Sequence, residues 1–141
     1  TCNYCNAKVL DVQAWGAMFF QTEQYWNVLN WAEMNLSLNG LHFDFNDDLD
    51  GTWYEGVAHM AATFQARGGD EKAVALLDIL RNAQTSSQYA DGKGIPGSDI
   101  YDLTTGFSWN YYNRLSLGAT CWFIMAEKGV NPLEVVMGAI F

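Results

Sequence analysis

Positive charge is scarce in this sequence. Seven Lys and Arg stand against sixteen Asp and Glu, for a formal net charge of −9. A surface so poor in cations has little to neutralise phosphates with, which excludes nucleic acid and anionic membranes as partners. Charge of either sign is low, at 16% of residues against the usual ~25%. No apolar run approaches the ~18 residues of a membrane span. The chain starts at Thr1 without a signal-like apolar segment, so it is expected to be processed or a piece of something larger.

Cysteine is sparse and odd in number. Cys2 and Cys5 form a C-x-x-C at the terminus. A redox or zinc site needs a helical context or a second ligand pair, and a c-type haem needs a His after Cys5; none is present. A local or intermolecular disulfide, reduced bystanders and a metal remain, in that order. Cys121, inside an apolar run, reads as a small buried hydrophobe. A Gly-rich phosphate loop, a nucleophile elbow and a Cys/His catalytic set are all missing. His42 and His59 lack metal-ligand spacing, and a lone His in a helix reads as structural. Strand patterning is almost absent.

What is present is apolar and aromatic. Half of the 141 residues are hydrophobic, and six Trp, seven Tyr and eight Phe supply stacking surfaces or large buried faces. Helical spacing predicts helices over Val9–Phe20, Glu23–Leu36, Trp53–Ala66, a fourth capped by Asp70 with a stripe at Ala73, Leu76, Leu77 and Leu80, and Leu117–Glu127. The fifth is apolar nearly all round and is expected to be buried. Asn131-Pro132-Leu133-Glu134 predicts the start of a sixth helix running to the end. Thr85–Asn113 has no clear period, yet holds Ile95, Tyr101, Phe107, Trp109, Tyr111 and Tyr112. It is expected to be a long, ordered aromatic loop. VQAWGAMFFQTEQY, EGVAHMAATFQARGGDEKA and LGATCWFIMAEKGVNPLEV align as one repeated unit, a small-residue-rich inner helix followed by an outer one. The expected fold class is all-α, three helical hairpins in a single domain spanning 1–141.

One ordered series of residues carries a resemblance. It runs L-D-V-x-A-W-G, N-W-A-E-x-N-L, F-D-F…D-G-T-W-Y-E-G-V-A-x-M-A, L-R-N-A-Q, G-I-P, T-T-G-F-S-W-x-Y-Y and G-A-T-C-W-F-I-M-A-E-x-G-x-N-P-L. From Val9 to Pro132 the chain resembles the C-terminal half of six-hairpin, (α/α)6-toroid glycosidase-like domains. The resemblance implies an incomplete or half toroid, an extracellular or cell-surface location, and general acid/base cleavage of a polysaccharide. It implies no required cofactor. A full toroid has twelve helices, so the flanks of the inner helices are expected to stay open and to meet other copies of the chain or a missing N-terminal half. The rival readings are a non-catalytic assembly subunit and a glycan-binding module.

Within that frame Glu55 is the candidate acid, with Asp99 and Asp102 as candidate partner carboxylates. Trp53, Tyr54, Trp109, Tyr111 and Tyr112 are candidate stacking residues. Glu55 is also claimed by a capping box, Thr52-x-x-Glu55, in which it bonds back to the N–H of the cap residue. The loop aromatics equally read as packing. Asp11, one turn before Trp15, reads as lining the interior, pairing with Lys8 or capping its helix. Asn46-x-Asp48-x-Asp50-Gly51 matches the start of a calcium loop; position twelve is Val57 rather than Glu, with Asp44, Asp47 or Glu55 as candidate substitutes. Calcium and a solvated acidic turn are the two readings of that stretch.

Overall fold

The structure is a computed structural model describing residues 8–134. Five helices account for about half of these residues: α1 Leu10–Phe20, α2 Glu23–Asn35, α3 Tyr54–Ala66, α4 Asp70–Ser86 and α5 Leu117–Glu127. Four two-residue strands lie between α4 and α5: β1 Ile95–Pro96, β2 Leu103–Thr104, β3 Asn110–Tyr111 and β4 Leu115–Ser116. The expectation of an all-α chain of three hairpins forming part of an (α/α)6 toroid is therefore corrected to a mixed helical and antiparallel-sheet architecture. The long loop is ordered by backbone pairing. β1 pairs with β4 (Ile95 opposite Ser116) and β2 with β3 (Leu103 opposite Tyr111), both antiparallel. Strands of two residues are too short to show an alternating pattern, so the sequence reads as loop where the backbone pairs. Pro132 and Leu133 lie in a turn, and the rest of the expected sixth helix falls outside the described residues, as do Cys2 and Cys5.

The centre of the fold is α3. Residues Gly56–Phe64 are all buried, and the helix packs against α1, α4 and α5. Small residues allow this. A Cβ at Gly56 would sit 2.6 Å from Leu10 Cδ2. Seven residues on, Thr63 donates its hydroxyl to His59 O at 2.7 Å, and Ala14 O of α1 lies 3.5 Å away. The stripe of α4 is buried as expected: Ala73, Leu76, Leu77, Leu80 and Ala83. Its cap residue is Gly69, with Asp70 the first helical residue.

The start of α3 is held differently from the capping box. Trp53 is the cap residue, and no side chain caps the helix. Thr52 turns instead to the long loop. Its N–H donates to Asp99 Oδ1 at 2.7 Å and its hydroxyl to Asp99 Oδ2 at 2.8 Å. Tyr54 N donates to Gly97 O at 3.1 Å. A partner 47 residues away thus does what Glu55 was expected to do, and Glu55 is left unbonded to the backbone.

The repeat explains which flanks are covered. Leu10, Ala14 and Ala17 correspond to Tyr54, Ala58 and Ala61, and then to Leu117, Cys121 and Ile124. The first two sets are buried; Leu117 is 82% exposed, Ile124 52%, and Cys121 is exposed. On the other flank Val12, Gly16 and Phe19 correspond to Gly56, Met60 and Thr63 and to Ala119, Phe123 and Ala126. Here the α3 and α5 sets are buried, whereas Val12 and Phe19 are exposed. α1, α3 and α5 thus form a row with an open apolar flank at each end. The expected burial of α5 and Cys121 fails because no described element covers the outer flank of α5.

Gly56→Ala tests the close approach. At an unconstrained helix position, Ala in place of Gly stabilises by ~0.5–1 kcal/mol. Here overpacking against Leu10 and Trp53 reverses the sign, and urea unfolding should show a loss of about 1–3 kcal/mol. An unchanged or raised stability would show that α1 and α3 do not meet this closely.

Candidate functional site

The same repeat places two layers of side chains on one face. Asp11, Glu55 and Gly118 occupy one position of the repeat, and Trp15, His59 and Trp122 the position four residues later. Residues four apart share a helix face. The contacts confirm the layers. Glu55 leans over Gly118, where a Cβ would collide with its Oε2. Trp15 and Trp122 are stacked with centroids 6.3 Å apart and planes at 17°. His59 lies edge-on to both rings, at 5.5 Å from Trp15 and 4.2 Å from Trp122. The layers follow in the same order along all three helices, so α1, α3 and α5 run parallel. Tyr111 of β3 joins the first layer, close enough for its hydroxyl to feel the charges of both Glu55 and Asp11.

The electrostatics of this face are asymmetric. Burial pushes the Glu55 carboxyl above its ordinary range, and the charge of Asp11 pushes it further. Burial also raises Asp11, but the N–H of Val12 donates to its Oδ1 at 2.7 Å and favours the ionised form. Among the described residues Glu55 accepts no hydrogen bond; His59 Nε2 stands 3.9 Å from its Oε1. Both carboxyls are thus raised, with a backbone N–H opposing the rise at Asp11 and no hydrogen bond opposing it at Glu55. Burial alone lowers His59 to about 3, so its ring is neutral at ordinary pH. Burial, then the charges of Glu55 and Asp11, drive the Tyr111 hydroxyl upward, so it stays protonated. Lys8 pairs with Asp47 at 2.7 Å rather than with Asp11.

Of the candidate catalytic and stacking residues, Glu55 and Tyr111 reach this face, as does Asp11, one reading of which was that it lines the interior; Asp99, Asp102, Trp53, Tyr54, Trp109 and Tyr112 do not. Asp99 is committed to Thr52, and its backbone carbonyl accepts from Asn113 Nδ2 at 2.8 Å. Asp102 accepts from Asn110 Nδ2 across the β2–β3 pair at 2.9 Å. Trp53 and Tyr54 are buried; Trp53 packs against Phe45 (5.0 Å) and Tyr111 (5.2 Å), a core ring rather than a platform. Trp109 and Tyr112 are exposed, with Trp109 stacked parallel to Phe107 at 6.3 Å and Tyr112 edge-on to Tyr101 at 5.6 Å. Trp15 and Trp122 had not been singled out as site residues. The signal for them was the repeat itself, read position by position. An open cleft of about 720 Å³ lies at the far end of α3. It is lined by the Lys72–Glu33 ion pair and by Arg67, which covers Trp26.

The acidic loop forms a second constellation. One oxygen from each of Asp44, Asp48 and Asp50 lies within 4.8 Å of the others, a group able to hold a metal ion. Asp44 is fully buried. It accepts from Phe45 N at 2.6 Å and Asp50 N at 2.7 Å. Burial, and then the charges of Asp50 and Asp48, push it up to about 7. Asp48 Oδ2 accepts from Thr104 Oγ1, and Asp50 Oδ2 from Thr104 N, so the cluster ties this loop to β2. Asn46 donates to Asp48 at 3.1 Å. Three clustered carboxylates suit a hard cation, which prefers oxygen ligands and would relieve their mutual repulsion.

Comparison of the chain with protein-family models, with curated proteins and with solved structures finds no match.

Proposed function

We propose that the face built by α1, α3 and α5 binds and cleaves a polysaccharide, outside the cell or at its surface. Glu55 is the general acid and Asp11 the ionised partner that acts as base or stabilises developing positive charge. Trp15 and Trp122 supply the apolar faces on which sugar rings stack. The observation that carries this reading is the pair of part-buried carboxyls, one bonded to a backbone N–H and the other not, set one turn from two stacked indoles. Two titratable groups whose surroundings differ in this way divide acid and base duties between them. The glycosidase-like resemblance in the sequence points the same way. Exposed Trp109 and Tyr112 extend the aromatic surface on the loop side.

Glu55→Gln should abolish cleavage of a susceptible polysaccharide while leaving binding in place. Trp122→Ala should weaken oligosaccharide binding about tenfold, or ~1.4 kcal/mol, by calorimetry. Cleavage that survives Glu55→Gln contradicts the assignment, and binding that survives loss of both Trp15 and Trp122 removes the platform.

For the acidic loop we propose calcium, held by Asp44, Asp48 and Asp50 with Asn46 at the rim. Its role is structural: it fixes the approach to α3 against β2. The pH dependence follows from Asp44. The folded protein keeps a proton on it up to about 7, whereas the unfolded chain loses it near ~3.9. Its contribution to stability is thus complete below the lower value and lost as pH rises towards the upper one. A cation replaces that proton. Calcium at a hundredfold excess over its dissociation constant should therefore stabilise by ~2.7 kcal/mol above neutrality and by much less near pH 5. A melting temperature indifferent to calcium and chelator at both pH values contradicts the site.

A second reading, assembly, is favoured by the open flanks of α1 and α5. Val12 and Phe19 on one side and Leu117 and Ile124 on the other are repeat equivalents of buried contacts, so a second copy would meet the flank of one with that of the other. Sedimentation should show concentration-dependent association that Leu117→Glu with Ile124→Glu removes. A monomer at all concentrations contradicts it.

A further inference from the structure

His59 has no task in the scheme above. It is fully buried, neither ring nitrogen has a hydrogen-bond partner among the described residues, and three indoles enclose it: Trp15, Trp53 at 5.3 Å and Trp122. A buried imidazole without partners forfeits the hydration of two polar atoms, and such groups normally find a bond. A phenyl or methionine side chain would fill the same space without that loss. The Glu55 carboxyl stands 3.9 Å from His59 Nε2. That is too long for a hydrogen bond.

We propose that His59 is a positioning residue for Glu55, its Nε2–H reaching the carboxylate once Glu55 ionises and holding it over Gly118. This rests on the reading of Glu55 as the acid. The other ionisable groups at Glu55 are Asp11 on α1, a carboxylate that repels it, and the Tyr111 hydroxyl on β3, which keeps its proton. α5 contributes Gly118 and Trp122, neither of them ionisable. A neutral imidazole has one N–H and one lone pair. The indole cage keeps the ring neutral, so it donates to Glu55 without taking the proton from it. The device lets Glu55 lose its proton during turnover and regain it, with the carboxylate returned to one orientation each time. Gly118 is the other half of it, since any side chain there displaces Glu55 from the position His59 reaches.

The test needs no substrate. In the unmutated protein, nitrogen chemical shifts of His59 should report the Nε2–H tautomer. Carbon-detected titration should give a Glu55 midpoint that rises by about one pH unit in His59→Phe, a tenfold change in proton affinity. His59→Gln, whose amide N–H reaches the same place, should leave the midpoint near its original value. An Nδ1–H tautomer, or a Glu55 midpoint unmoved by His59→Phe, overturns the proposal. The tautomer is read in the native chain, so an unfolded variant does not block the decision. Oligosaccharide binding measured on the same samples separates the two ideas. Loss of the glycan reading with the tautomer and the shift intact leaves the His59–Glu55 coupling standing.

Discussion

Gly56 brings α3 against Leu10 of α1 more closely than any side chain there would permit, and the rest of the structure is arranged around that approach. Helices this near one another exclude water from their shared face, so Ala14, Ala58 and Ala61 can bury backbone as well as side chain. Parallel alignment of α1, α3 and α5 then follows the repeat. It brings equivalent positions into layers, and two of those layers hold nearly all of the unusual chemistry in the chain. The carboxyls of Asp11 and Glu55 are raised because this packing takes them out of water.

The helices were legible in the sequence because their apolar periodicity is strong. The predicted Leu117–Glu127 coincides with α5, and the other bounds differ by a residue or so, within the usual ambiguity of helix ends. The order of the aromatic loop was legible too, from its content of large apolar residues. Its strands were not, because Ile95–Pro96 and Leu103–Thr104 are ordered by partners up to 21 residues away rather than by their own pattern. The capping box at Thr52 failed for a related reason. Asp99, remote in sequence, accepts from both the N–H and the hydroxyl of Thr52, so one side chain takes both groups that the box would have used.

The candidate site was half legible. Glu55 stood out as an acid beside aromatics, but the aromatics next to it in sequence, Trp53 and Tyr54, turn inward. Its working neighbours come from other helices at equivalent positions of the repeat. Trp15 and Trp122 could be found only by comparing the three units residue by residue. His59 looked like a structural histidine; among the described residues neither of its ring nitrogens finds a hydrogen-bond partner. The calcium-like pattern was legible in its short-range part, Asp48 and Asp50. The third carboxylate, Asp44, precedes the pattern and enters because the loop folds back on itself.

The central claim is that α1 and α3 present two carboxyls of unequal acidity on one face, with Glu55 keeping its proton after Asp11 has ionised. Carbon-13 titration of the side-chain carboxyls measures both directly. The account predicts two separate midpoints, with Glu55 the higher, and a fall in the Glu55 midpoint when Asp11 is replaced by Asn, because the charge that raises it is gone. Equal midpoints near the ordinary carboxylate range, or a Glu55 midpoint indifferent to Asp11→Asn, would contradict it.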